Sequence, residues 1–298
     1  MDTKNLLPLL AMPLLLLAVE IGAILISLPV KASGIVAFED PTSLENPLIF
    51  IVILLVFTGF LLVLIKYDMK KVIAAVIGLS LFFTFVYIFA ALIYATMGAS
   101  DIANIAVLVL SILATALLYK FPEWYVIDAL GILIGAGVAS IFGVSLDVLP
   151  VVILLILLAA YDAISVYKTK HMITLAEGVI DLKTPILFVI PKRRDYSFIK
   201  EGIGKLGDGG ERAAFIIGMG DLIMPSILVV SANVFLKGSK LGGIINLPAL
   251  GAIIGSLAGL CVLMHFVMSG KPQAGLPPLN GGTILGFLVG LGAMTWMG

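Results

Sequence analysis

Charge is scarce in this chain. Only 12% of its 298 residues are Asp, Glu, Lys or Arg, against roughly 25% in a soluble globular domain. A solvated surface of ordinary extent cannot be built from so few. Bases and acids number eighteen each, so there is no cationic excess of the kind that draws a protein to nucleic acid. Cysteine is reduced to Cys261, which excludes an internal disulfide and a thiolate metal cluster. Histidine is reduced to His171 and His265, far apart in sequence, so a histidine-based zinc site is not expected. A P-loop and a dinucleotide-binding glycine fingerprint are both missing. Neither a metal nor a cofactor is expected.

Apolar residues are what the chain has in quantity. They make up 61% of the sequence, and mean hydropathy is +1.21. Apolar stretches of 18 or more residues recur from end to end, each long enough to cross ~30 Å of hydrocarbon. Lipid offers the backbone no hydrogen bonds, and the alternating pattern of a barrel is missing, so these stretches are predicted to be helices. The expected fold is all-α, a polytopic membrane protein with nine transmembrane helices embedded in a lipid bilayer. The spans read as about 6–29, 48–65, 72–97, 102–119, 125–143, 149–167, 213–235, 243–268 and 281–298. The first could pass for a signal peptide, but it is long and lacks a clear cleavage site, and it is read as a helix.

The organisation follows from the longest connection. Residues 1–170 form a six-helix part, 171–211 a loop, and 212–298 a three-helix part. With the N-terminus inside, fifteen Lys and Arg fall on the cytoplasmic side, and only Lys31, Lys237 and Lys240 fall outside. That bias sets the expected orientation in the cell membrane: N-terminus cytoplasmic, C-terminus outside.

Ionisable groups within the bilayer cost a few kcal/mol or more and mark functional sites. Here they are Glu20, Asp128, Asp162 and Asp221. Glu20 is deep in the first span with no evident partner. Asp128 follows Glu123 by five residues and is expected to reach the water boundary. Asp162 precedes Lys168 by six residues, ~9 Å along a helix, and Asp221 follows Arg212 by nine, ~13 Å. Consecutive antiparallel spans thereby put one carboxylate each at similar depth. Gly218 and Gly220 clear space beside Asp221. Pro225 removes the helical hydrogen bond to the carbonyl of Asp221.

Two carboxylates that close cannot both ionise cheaply; they share a proton and titrate as a unit. One can then take a proton from water while the other polarises a carbonyl, which is metal-free peptide hydrolysis. The same pair could carry protons or a cation in a transporter. The chemistry alone leaves both readings open, although the inverted repeat common in transporters is not evident.

The segments "AAYDAIS" around Asp162 and "GMGD" over Gly218, Met219, Gly220 and Asp221 resemble the YD and GxGD motifs of the presenilin and signal peptide peptidase family of intramembrane aspartyl proteases. The family carries them on the sixth and seventh of nine spans, in the order found here. The resemblance implies that Asp162 and Asp221 are the catalytic pair, with Tyr161 beside them. It also implies a third motif, Pro-Ala-Leu, before the ninth span. The stretch in that place is Pro277-Pro278-Leu279, and Pro278 stands where the family has alanine. The literal string Pro248-Ala249-Leu250 falls near the eighth span, on the opposite side by this topology. Consecutive prolines are expected to form an extended segment on which substrate backbone could dock. The implied substrates are proteins with a single transmembrane helix. Orientation and chain length look like a prokaryotic, archaeal-type presenilin homologue without obligate partner subunits, leaving an oligomer open. In presenilins the loop between the motifs is cut during maturation; its short apolar patch, Thr184 to Pro191, is expected rather to pack on the bundle.

Overall fold

Long runs of Leu, Ile and Val have only one economical way to satisfy their backbone in lipid, and in the computed structural model they are helices. The structure describes residues 6–169, 187–193, 195–202, 214–267 and 273–297; most of the loop 171–211, with Arg212, lies outside them. The chain folds as α1 (Leu6–Ser33), α2 (Glu45–Lys66), α3 (Lys70–Met97), α4 (Asp101–Lys120), α5 (Trp124–Ser145) and α6 (Val148–Ile164). A strand β1 (Leu187–Pro191) and a helical turn Phe198–Glu201 follow. Then come β2 (Ala214–Gly218), α7 (Met219–Phe235), a small hairpin of β3 (Lys240–Leu241) and β4 (Ile245–Asn246), α8 (Leu247–Val267) and α9 (Leu276–Met297). Among the described residues, eight helices are long and apolar enough to cross a membrane, and α7 is a shorter apolar helix of 17 residues. The expected all-α polytopic architecture is the one observed.

The start of the seventh expected span differs. Residues 214–218 form a strand rather than helix, antiparallel to β1 in the register Leu187↔Gly218, Val189↔Ile216 and Pro191↔Ala214. The sequence "AFIIG" is aromatic and β-branched, which suits a ribbon, and the glycines that follow weaken any helix continuing backwards. The apolar patch of the loop is thus, over Leu187–Pro191, one strand of this ribbon, and Phe188, Val189 and Ile190 are buried. Beyond β1, Tyr196 donates to the carbonyl of Gly202 at 2.7 Å. Burial, aided by the charges of Glu201 and Glu123, pushes its phenol up to about 12, so it stays a donor at any working pH.

The eighth and ninth helices also start elsewhere than expected. Asn246 accepts the Ala249 amide at 2.9 Å and fixes the first turn of α8, so Pro248-Ala249-Leu250 is a capped helix start. α9 begins at Leu276, five residues early, and takes in Pro277 and Pro278. Prolines fit the first turn because its amides have no helical partner anyway. They open the helix rather than forming the extended segment predicted for them.

The core lies among α1, α5 and α7, where Leu16, Val19, Ala139, Ile227 and Val230 are fully buried or nearly so. Small residues let these helices meet: a Cβ on Gly135 would lie 3.2 Å from Val19, and one on Gly143 2.5 Å from Val230. By contrast, α2 exposes Val52, Ile53 and Val56, a lipid-facing surface. α8 and α9 make backbone contact through interlocked glycines: Gly251 and Gly255 meet Gly286 and Gly282, and Gly259 meets Pro278 and Leu279.

Candidate active site

Asp162 lies in the last α-helical turn of α6, just before the chain widens into a π-helical turn at Ser165–Thr169. Such turns cluster at functional sites because they re-aim neighbouring side chains. Asp162 is 6% exposed. Its Oδ2 accepts the Leu276 amide at 2.9 Å and its carboxylate also accepts the Gly275 amide. Five residues on, the Tyr167 hydroxyl donates to Gln273 Oε1 at 2.9 Å and accepts the Ala274 amide at 3.3 Å. The end of α6 therefore grips the segment leading into α9 at consecutive points. A further tie lies deeper, where Asn280 Nδ2 donates to the Leu155 carbonyl at 3.0 Å.

Asp221 approaches the same segment from the other side. It is the third residue of α7, half-buried, in the first turn. Gly218 is the N-cap residue, and its amide donates back to the Asp221 carboxylate, a reach typical of an acid at this helix position. The positive end of the helix dipole faces the carboxylate as well. A Cβ built on Gly275 would lie 3.0 Å from Asp221 Oδ2 and 3.2 Å from Oδ1, so any larger residue there would press on the carboxylate. One carboxylate is thus bonded to the Gly275–Leu276 backbone and the other packed against it. The two interact electrostatically.

Of the other residues singled out from sequence, Gly220 is exposed with open space around it, and Met219 is buried. Gly218 is an extended helix cap rather than a helix-interior glycine. Tyr161 is half-buried beside Asp162, and its carbonyl accepts the Ser165 hydroxyl at 2.6 Å. Pro277 and Pro278 are half-buried and Leu279 fully buried, in the turn that carries the Leu276 amide. Pro248 packs near Gly290, twelve residues and ~18 Å along α9 from Pro278.

Two acids lie elsewhere. Glu20, buried in α1, accepts the Ser256 hydroxyl of α8 at 2.6 Å, a partner the sequence did not reveal. Asp128 does not reach the water boundary as expected. It is 9% exposed and accepts the Val189 amide of β1 at 2.8 Å. Sequence reasoning also missed Gly275, Leu276, Tyr167 and Asn280. Gly275 had a readable signal, since it directly precedes the Leu-Pro-Pro-Leu string.

Membrane helices thus bring two aspartates together at the entry of a proline-led helix. The chain belongs to the family described as signal-peptide peptidase, presenilin aspartyl protease, whose profile matches residues 12–295. A presenilin family intramembrane aspartate protease solved in space group C222 is 51% identical, with a TM-score of 0.72, covering 96% of this chain and all of that one. A structure in space group P2 with the same description is 52% identical, with a TM-score of 0.70, covering 97% of this chain and 99% of that one. Among curated proteins none matches. The chain is accordingly an aspartic endopeptidase acting within the membrane, and the transporter reading finds no support.

A single amide tests the grip on Asp162. Proline is tolerated at a first helical position, so Leu276→Pro removes the donor while leaving the start of α9 in place. Hydrogen bonds to charged groups are worth about 1.5–3 kcal/mol. The expected result is kcat lowered by about tenfold or more against a single-span substrate, with an unchanged melting curve in detergent.

Proposed function

We propose that Asp162 and Asp221 are the catalytic dyad of this protease, hydrolysing peptide bonds within or near the transmembrane helices of single-span proteins. The observation that carries the assignment is their convergence on Gly275–Leu276 from α6 and α7. One carboxylate takes the proton of the attacking water while the other donates to the scissile carbonyl. Gly218, Met219 and Gly220 shape the approach to Asp221. Tyr161 and the turn Pro277-Pro278-Leu279 shape the substrate side. The chain divides as proposed from sequence: 1–170 carries the first aspartate, 212–298 the second, and 171–211 joins them.

A substrate helix must unwind before a peptide bond can be attacked. The ribbon β1–β2 supports a docking mode for the unwound strand, because β2 runs directly into the helix bearing Asp221 and strand addition supplies backbone hydrogen bonds. The enzyme works in the cell membrane with its N-terminus cytoplasmic and C-terminus outside, and needs no partner subunit. The charge count favours that orientation.

The test is purified protein in liposomes with a single-span substrate, the products read by mass spectrometry. Wild type is expected to cut. Glu20→Gln, on an acid bonded to Ser256 rather than to the α9 entry, is expected to retain activity within about threefold. Absence of cutting by wild type, or loss in Glu20→Gln equal to that of a dyad variant, would overturn the assignment.

A further inference from the structure

Asp128 is a carboxylate that the dyad chemistry does not use. It sits one turn inside α5, buried, and it accepts not from a side chain but from the Val189 amide in the middle of β1, 61 residues away. In an antiparallel pair, residues alternate between pointing their amides at the partner strand and away from it. An amide given to Asp128 is turned away from β2. The outer edge of β1 then has no free amide at two successive outward positions: Val189 donates to α5, and Pro191, two residues on, has no amide. A second observation lies one turn further along α5. A Cβ on Gly131 would lie 2.9 Å from the Phe188 ring and 3.0 Å from the Met219 methyl. The same face of α5 thus bonds β1 through Asp128 and receives through Gly131 two side chains from one end of the ribbon, Phe188 of β1 and Met219 directly after β2, the latter from the GMGD motif. Glu123, which caps this end of α5, accepts the Ser197 hydroxyl at 2.6 Å and the Phe198 amide at 3.0 Å. A third stretch is thereby held to the same helix.

We infer that Asp128 is a positioning residue of the protease: it fixes the β1–β2 ribbon on α5, occupies the outward amide in the middle of β1, and so sets where β2 and the Asp221 turn lie relative to a bound strand. It touches neither the substrate bond nor the dyad. Its effect on catalysis passes through the ribbon, and that part of the inference rests on the strand-docking reading above. Its effect on the Val189 amide does not.

Two readouts separate these parts. The first is hydrogen exchange of the β1 segment in the full-length protein. Asp128→Ala should lose protection at residues 187–191 by tenfold or more, whereas Asp128→Asn, whose Oδ1 still accepts, should stay near wild type. The second is cleavage in liposomes. Asp128→Ala should lower kcat/KM about tenfold, chiefly by raising KM, and Asp128→Asn should recover most of it. A double-mutant cycle guards against simple misfolding. Val189→Pro removes the same hydrogen bond on an amide that faces away from β2, so Asp128→Ala in that background should add little. Unchanged exchange in Asp128→Ala, equal losses in Asp128→Ala and Asp128→Asn, or additive losses in the cycle would each overturn the inference. Altered exchange with unaltered KM would overturn the role in substrate positioning. A wild type that fails to cut would instead count against the protease assignment, leaving the exchange result to decide the tether.

Discussion

Asparagine in place of either Asp162 or Asp221 is expected to abolish cleavage, lowering turnover by at least about a thousandfold, since proton transfer by a placed side chain is commonly worth 10²–10⁴. The substitution is nearly isosteric, and its oxygen can still accept the Leu276 amide that Asp162 receives or the Gly218 amide that Asp221 receives. Fold and segment 273–276 should therefore stay in place while the ability to give and take a proton is lost. A dyad of the kind proposed acts as one unit, so the double variant should be no slower than either single one. Mass spectrometry of products from equal amounts of liposome-embedded protein decides it. Residual cutting in one variant only would assign the reaction to the other carboxylate with a different partner.

Much of this could be read from the chain because lipid imposes a strict rule. Every apolar run had to be a helix, and each charged residue then became either a boundary or a functional mark. Hence the nine apolar helices among the described residues, with ends within a few residues except where proline, glycine or β-branching intervened. The exceptions are instructive. "AFIIG" reads as part of a span because hydropathy does not distinguish a buried strand from helix; only pairing with Leu187–Pro191, 23 residues away at its nearest point in sequence, makes it a ribbon. Pro277 and Pro278 were read as breakers, although the same residues are favoured at a helix start. Asp128 and Glu20 looked solitary because their partners are a backbone amide 61 residues away and a serine 236 away. Asp162 and Asp221 stood out through motif and order, yet the Gly275–Leu276 backbone between them is invisible to any rule about side-chain chemistry.

That backbone is held by glycine, and here the second large effect is expected. Gly281 and Gly282 are neighbours in α9 with opposite surroundings. A Cβ on Gly281 meets nothing within 4 Å, whereas one on Gly282 would run into the Gly255 carbonyl and lie 3.0 Å from the backbone of Gly259. Alanine at 281 should be neutral or slightly stabilising, since it removes up to ~1 kcal/mol of glycine's cost in a helix. Alanine at 282 forces two main chains apart with no flexible side chain to give way, and overpacking of this kind costs about 1–3 kcal/mol; leucine there should prevent folding. The consequence for catalysis follows from the helix axis. Gly259 supports Pro278 and Leu279 one turn nearer the entry of α9, so pushing α9 off α8 at Gly282 displaces the turn that offers its amide to Asp162. Melting curves in detergent should drop for Gly282→Ala and not for Gly281→Ala. Activity of whatever folded Gly282→Ala remains should fall with them, because the dyad on α6 and α7 would no longer meet a correctly placed Leu276. Equal stability of the two alanine variants would mean that the close approach of α8 and α9 is not what holds the site together.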